Sequence, residues 1–249
     1  MFNMKRIFDI LVSLFGLILT LPITTTFLFL VWLKDKSNPL YISKRVGKKG
    51  KTFKLIKIRT MINNADFSGV DSTSLDDPRI TSIGAIIRKY KIDELPQLIN
   101  IIKGEMSLVG PRPNVKRETD LYTNEESRLL KIKPGLTDFS SIVFSDESEI
   151  LAGTLDPDLS YNQLIRPLKS RLGLFYLDKK NLFVDICLIL ITLINAISRK
   201  KSLKMTCVLL LYLKASQELI EAASRKYKLI PSPPPGSDMI TQSRNKNFK

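Results

Sequence analysis

The stretch KIDELPQLIN, residues 91 to 100, sets Asp93 and Glu94 side by side in a 249-residue chain with 39 Lys and Arg against 24 Asp and Glu. Adjacent acids in a cationic setting can divide labour, one attacking phosphorus while the other holds a divalent cation or orients its neighbour. Mg2+ suits such oxygen donors, and Asp93 and Glu94 are the candidate ligands. A transferring phosphoryl group needs cations around its oxygens, and Arg binds them bidentately. Arg59, Arg79, Arg88 and Arg112 are the candidates. Arg112 stands out because Pro111 and Pro113 fix the backbone on both sides of it. Pro96 fits only in the first turn of a helix, which puts Asp93 near a helix N-terminus. Capping is the default reading of a lone Asp there, yet the same place also favours an ionised, nucleophilic carboxylate.

Composition narrows the chemistry further. There is no histidine, which removes His-based acid/base catalysis, Ser/His and Cys/His nucleophile pairs and His-ligated metals. Cys187 and Cys207 both sit in apolar runs and form no disulfide framework or zinc motif. A net charge of +15 implies an anionic partner, for which nucleic acid, lipid headgroups and phosphorylated metabolites all qualify. Nucleic acid is not expected, because the densest positive charge adjoins an apolar segment and no recognition helix or aromatic platform is evident.

That segment, ILVSLFGLILTLPITTTFLFLVWL from Ile10 to Leu33, is uncharged and long enough to cross a bilayer. Pro22 removes a backbone donor in its middle, and Thr24, Thr25 and Thr26 can satisfy groups that a break there frees. Lys5 and Arg6 precede the run, and Lys34, Lys36, Lys44 and Arg45 follow it, so the positive-inside rule draws both ends to the cytoplasm. A re-entrant helix-break-helix satisfies both ends; one kinked spanning helix is the alternative.

The remaining elements must then position the acids. SKRVGKKGKTFKLIKIRTM reads as a basic β-hairpin turning at Gly47 and Gly50, and residues 63 to 78 read as a loop. Thr81 or Ser82 caps a helix with Ile83, Ile86, Ile87 and Tyr90 on its buried side. A short helix from Leu98 to Ile102 stops at Gly104, and MSLVGPRP is a strand closed by a rigid turn. Residues 115 to 131 read as a polar helix. SYNQLIRPLKSRLGLFYL and NLFVDICLILITLINAI form two further helices, the second suited to the interface or the core. Beyond Arg199, LKMTCVLLLYL is too short to span a membrane, and PSPPPGSDM reads as disordered.

In order along the chain, KRIFDI with the apolar run, SKRVGKKGKTFKLIKIRTM, DDPRITSIGAIIRKYKIDELPQLINIIKGEMSLVGPRP and KPGLTD resemble the bacterial sugar transferases, the monotopic phosphoglycosyl transferases. The likeness runs over roughly residues 4 to 200, and DELPQL with SLVGPRP carries its specificity. It implies a mainly helical α+β protein: a re-entrant helix hairpin over residues 1–36 broken at Pro22, and a catalytic domain over 37–200 with a small β-hairpin and interfacial amphipathic helices. Residues 201–249 have no counterpart and read as an accessory tail, partly disordered. The resemblance places the catalytic domain on the cytoplasmic face of the bacterial inner membrane. It further implies transfer of a sugar 1-phosphate from a UDP-sugar to polyprenyl phosphate with release of UMP. In that reading Asp93 forms an aspartyl phosphosugar intermediate, and Glu94 helps hold Mg2+ or position phosphate. Arg88 and Arg112 bind phosphate, with Lys57 and Arg59 near the same pocket. Membrane lipid is a partner, and a homodimer is left open. A noncatalytic scaffold that binds anionic lipid and a metal-dependent phosphohydrolase are the rival readings. Two departures from the family pattern stand out: Asp138 and Phe139 follow PGLT, and Leu21 precedes Pro22.

Overall fold

The computed structural model describes residues 4–65 and 72–243. The loop expected over 63 to 78 therefore lies partly outside the described residues. The protein is mostly helical, with two small two-stranded sheets.

Helix α1 spans Met4–Asp35, 32 residues or about 48 Å at 1.5 Å per residue. Among the described residues it is the one helix long and apolar enough to cross a membrane. It stays helical through Pro22, where a break was expected. Thr25 Oγ1 donates to the Leu21 and Pro22 carbonyls at 2.9 and 3.0 Å, and Thr26 Oγ1 donates to Pro22 at 2.8 Å. These are local bonds back along the helix; none reaches the Ile18 carbonyl that Pro22 leaves without its donor, and Thr24 Oγ1 is buried with no partner among the described residues, so the expected role of the Thr run is not met.

One side of α1 packs on the rest of the protein along most of its length. Phe8, Val12 and Leu17 join the main core, while Phe27, Leu28 and Val31 pack with Ile58 and Ile87 in a second, smaller core. The other side exposes Leu11, Phe15, Ile18, Leu19 and Phe29. Both ends are tied to the same body. Arg6 donates to the carbonyls of Ile101 and Ile102 at 2.5 and 2.7 Å, Lys5 pairs with Asp185, and Asp35 receives Arg59.

Strands β1 (Leu40–Val46) and β2 (Thr52–Ile58) form the expected antiparallel hairpin, with Tyr41 opposite Lys57. Helix α2 (Ser82–Lys89) is capped by Thr81, whose Oγ1 accepts from Gly84 N at 3.0 Å. A Cβ on Gly84 would lie 1.9 Å from the Thr60 carbonyl, so only glycine lets α2 sit this close to the strand end. A 3-10 turn, Ile92–Glu94, leads to α3 (Gln97–Lys103). Strand β3 (Ser107–Val109) runs parallel to β4 (Gly135–Thr137).

Between those strands the expected polar helix over 115 to 131 is not formed. Only α4 (Lys116–Thr119) and a 3-10 turn, Glu126–Lys131, appear. Thr123 and Glu126 form a reciprocal capping box: Glu126 N donates to Thr123 Oγ1 at 3.1 Å and Thr123 N donates to Glu126 Oε2 at 3.0 Å. That box starts a new turn and ends the previous one.

The C-terminal half is α5 (Phe139–Val143), α6 (Glu147–Ile150), α7 (Pro157–Ser160), α8 (Arg166–Lys179) and α9 (Leu182–Ile197). Two more helices follow, α10 (Arg199–Tyr212) and α11 (Gln217–Ser224). Leu209, Leu210, Leu219 and Ala223 belong to the same core as Met106, Phe139 and Leu188. The proline-rich run expected to be disordered is strapped to the body, with Arg171 donating to Pro233 O at 2.9 Å and Ser232 N to Gln163 O at 3.1 Å.

Candidate active site

The chain leaves α2 through Lys91, which adopts a left-handed conformation at φ 57°, an unfavourable geometry for a residue with a Cβ. Asp93 is therefore not the helix cap that Pro96 suggested. Pro96 itself occupies the N-cap position of α3, and the turn's own N–H groups are taken by backbone, Glu94 N by Lys91 O and Leu95 N by Ile92 O. Freed from capping, the buried Asp93 carboxylate faces β2, where Lys57 Nζ donates to its Oδ2 at 3.0 Å.

Lys57 also reaches Glu94 Oε1 at 3.2 Å. Arg112 grips Glu94 from the other side with both guanidinium nitrogens, NH1 donating to Oε2 at 3.2 Å and NH2 to Oε1. Burial opposes ionisation of Glu94, but Arg112, then Lys57 and Lys91, outweigh it and hold the carboxyl well below the usual range. Glu94 in turn keeps Arg112 firmly cationic.

Neighbouring contacts set this geometry. Asn100, fully buried, accepts from Ile56 N at 3.1 Å and donates to Lys54 O at 2.7 Å, pinning β2 to α3 and so Lys57 to the acids. Gly110 and Gly135 let two backbones touch: a Cβ on Gly135 would lie 2.1 Å from Gly110 N. That contact fixes the chain just before Pro111 and Arg112. Sequence reading missed Asn100, although a polar residue inside the apolar run LINII was a visible signal.

The other expected cations are placed differently from one another. Arg88 reaches only Thr60 Oγ1, at 3.4 Å, and among the described residues no carboxylate pairs with it. Arg59 is committed elsewhere, to Asp35 at 2.5 and 2.7 Å and to Asn63 at 2.6 Å, so it clasps the end of α1. Arg79 pairs with Asp77 at 2.6 Å and does not meet Asp93 or Glu94. The turn lies between α2 and α3, both of which pack on α1, and Ile92 joins the core cluster of Phe27, Leu28 and Val31.

A small cleft, open to solvent, adjoins Arg112 and is lined by Asn114, Asp138, Ser140, Tyr161 and Lys169 among others. Glu147, which sequence reading did not single out, pairs with Lys169 and feels the charge of Arg112. Asp138 proves to be the cap of α5, its Oδ1 accepting from Ser141 N at 2.7 Å. Its place after PGLT thus has a structural reason.

The residues present fit Mg2+ only in a shared mode. Asp93 and Glu94 offer hard oxygen donors, and Asp93 Oδ1 has no hydrogen-bond partner among the described residues. Among those residues no three His, Cys, Asp or Glu side chains converge, so the remaining ligands would have to be water and substrate phosphate.

The sequence model of the family described as bacterial sugar transferase matches residues 1–199. The chain belongs to the bacterial sugar transferase family. It is 46% identical over 121 residues to a putative undecaprenyl-phosphate N-acetylgalactosaminyl 1-phosphate transferase of Bacillus subtilis, covering 49% of this chain and 68% of the relative. It is 40% identical over 148 residues to the exopolysaccharide production protein ExoY of Sinorhizobium fredii, covering 53% and 66%. An undecaprenyl-phosphate galactose phosphotransferase of Salmonella typhimurium is 38% identical over 152 residues, covering 54% of this chain and 31% of that longer protein. Family membership makes this transferase an enzyme and sets aside the noncatalytic scaffold.

Proposed function

We propose that this sugar transferase passes a sugar 1-phosphate from a UDP-sugar to polyprenyl phosphate, in two displacements at Asp93. The observation that carries the reading is the open cluster around Asp93 and Glu94, in which Lys57 and Arg112 touch the acids and Lys91 adds positive charge beside Glu94. In the first step a carboxylate oxygen of Asp93 attacks the sugar-bearing phosphorus, the bond to the bridging oxygen breaks, and UMP leaves with that oxygen. An aspartyl phosphosugar remains. In the second step a phosphate oxygen of polyprenyl phosphate attacks the same phosphorus, and the Asp93 carboxylate leaves. No proton is gained or lost by Asp93 in either step.

Glu94 keeps Arg112 and Lys57 aligned for the phosphoryl oxygens, where fixed positive charge stabilises the charge that develops on them. Arg88 and Arg112 bind the diphosphate. Asp93 and Glu94 would hold Mg2+, which would supply neutralisation of phosphate charge. The names of two relatives include undecaprenyl phosphate, and that of a third includes exopolysaccharide production, which supports a lipid acceptor and a role in polysaccharide assembly.

The membrane reading completes the proposal. α1 enters and leaves the bilayer from the cytoplasmic face of the inner membrane, as a re-entrant element that bends at Pro22 while remaining helical rather than breaking there. Its two ends are tied to one body, Arg6 to α3 and Asp35 to Arg59, which supports having both on one side. The site would then lie where a membrane-bound acceptor can reach it. Asp93→Asn should lower UMP release from UDP-sugar and polyprenyl phosphate by at least about 10³-fold. Near-normal release from a folded variant would sink the mechanism.

A further inference from the structure

All of helix α10 after Arg199 lies beyond the residues that match the family, and it packs antiparallel to α9 with Leu203, Leu209 and Leu210 on its inner side. Its outer side divides in two. Lys201 and Lys204 are exposed near its start, beside exposed Lys200, and Met205, Val208, Leu211 and Tyr212 are exposed towards its end. RKKSLKMTCVLLLY contains no acid. Helix α9 presents a matching stripe, Phe183, Ile186, Leu190, Leu193 and Ile197, at helical spacing. The two stripes adjoin, because the exposed rings of Phe183 and Tyr212 lie 6.0 Å apart. The start of α9 is in turn joined to the start of α1 by the Lys5 to Asp185 pair. Apolar outer surface therefore continues from α9 to α10, with the start of α1 held against the inner side of α9.

At 14 residues α10 is about 21 Å long, too short to cross a hydrocarbon core of about 30 Å. A short helix with lysines at one end and an apolar stripe at the other suits the plane of an anionic interface. Helix α11, by contrast, exposes Gln217, Glu218 and Glu221 and has no such stripe. We infer that α10, which continues the outer stripe of α9, is a second lipid-contacting element that extends the membrane footprint of this chain past the residues matched to the family. Its apolar half meets the acyl boundary, and its lysines meet anionic headgroups. This rests on the membrane placement of α1 proposed above.

The test uses the full chain with Cys187→Ser and Cys207→Ser, in nanodiscs of phosphatidylethanolamine and phosphatidylglycerol. A nitroxide is attached in turn through Val208→Cys, Leu211→Cys, Phe15→Cys on α1 and Glu221→Cys on α11. Relaxation by oxygen, which partitions into lipid, is compared with relaxation by a water-soluble nickel chelate. Labels at 208 and 211 should respond to oxygen several-fold more than to nickel, as at 15, and the label at 221 should show the reverse. Nickel-accessible labels at 208 and 211 beside a lipid-exposed label at 15 would overturn this inference alone. A nickel-accessible label at 15 would defeat the placement of α1 and this inference with it. Labels at 208 and 211 shielded from both reagents, with spin-spin broadening between chains, would show a second copy covering the face and would also overturn it.

Discussion

Two buried charge clusters in this protein differ in whether protein groups complete them. Around Glu126 the account closes: Arg166 donates to both carboxylate oxygens, Ser170 Oγ and Thr123 N add two more bonds, and the guanidinium also reaches Asn162 and Leu121 O. One acid meets one base, and both carboxylate oxygens are hydrogen-bonded by protein groups. Around Asp93 and Glu94 the account stays open. Two acids face Lys57 and Arg112, with Lys91 close enough to act on Glu94. The first arrangement is what a core needs, since a buried pair is tolerable only when every hydrogen bond is made. The second leaves surplus positive charge that an anion can neutralise, which is what a phosphoryl site needs.

The sharpest test of this contrast is to remove one acid from each cluster. Glu126→Ala should strand Arg166 in the core and destabilise the protein by about 3–5 kcal/mol. Thermal unfolding in detergent would read that loss, whereas Asp93→Asn should leave the melting temperature nearly unchanged while turnover collapses. Equal melting losses in the two variants would erase the distinction between closed and open clusters. Next in size, Arg88→Ala should raise KM for the sugar nucleotide by about tenfold, the scale of one charged hydrogen bond, with little change in melting. A large melting loss without a KM effect would make Arg88 structural.

The smallest expected effect is on pH. Because Glu94 is held below its ordinary value of 4.5, its stabilising contribution is fully present above pH 4.5 and is lost as pH falls through the lowered folded value. Melting temperature measured from pH 6 downward should hold above that point and fall below it, and Glu94→Gln should flatten the acid limb. An unchanged acid limb in the variant would show that other carboxylates govern it.

Legibility in the sequence followed the range of the signals. The hairpin turn at Gly47 and Gly50, the Thr81 cap and the long apolar helix were all visible, because dihedral preferences, capping and apolar periodicity act over a few residues. The capping box at Thr123 was equally local, yet the polar run around it read as one helix. Asp93 misled for a related reason: the sequence shows an acid before Pro96, but not that left-handed Lys91 starts a separate turn whose backbone already satisfies the N–H groups.

From residue types alone the sequence determined what chemistry was available: no histidine, a pair of acids, abundant Lys and Arg, and one apolar run of membrane length. Only the tertiary structure decided which cations meet the acids. Lys57 stands 36 residues before Asp93 and Arg112 18 residues after Glu94, and both reach the cluster. Arg59, two residues from Lys57, instead closes on Asp35. Local preferences set each element, but the pairing of side chains between elements depends on how β2, α2 and α3 pack against α1, and that information is not carried by any short stretch of the chain.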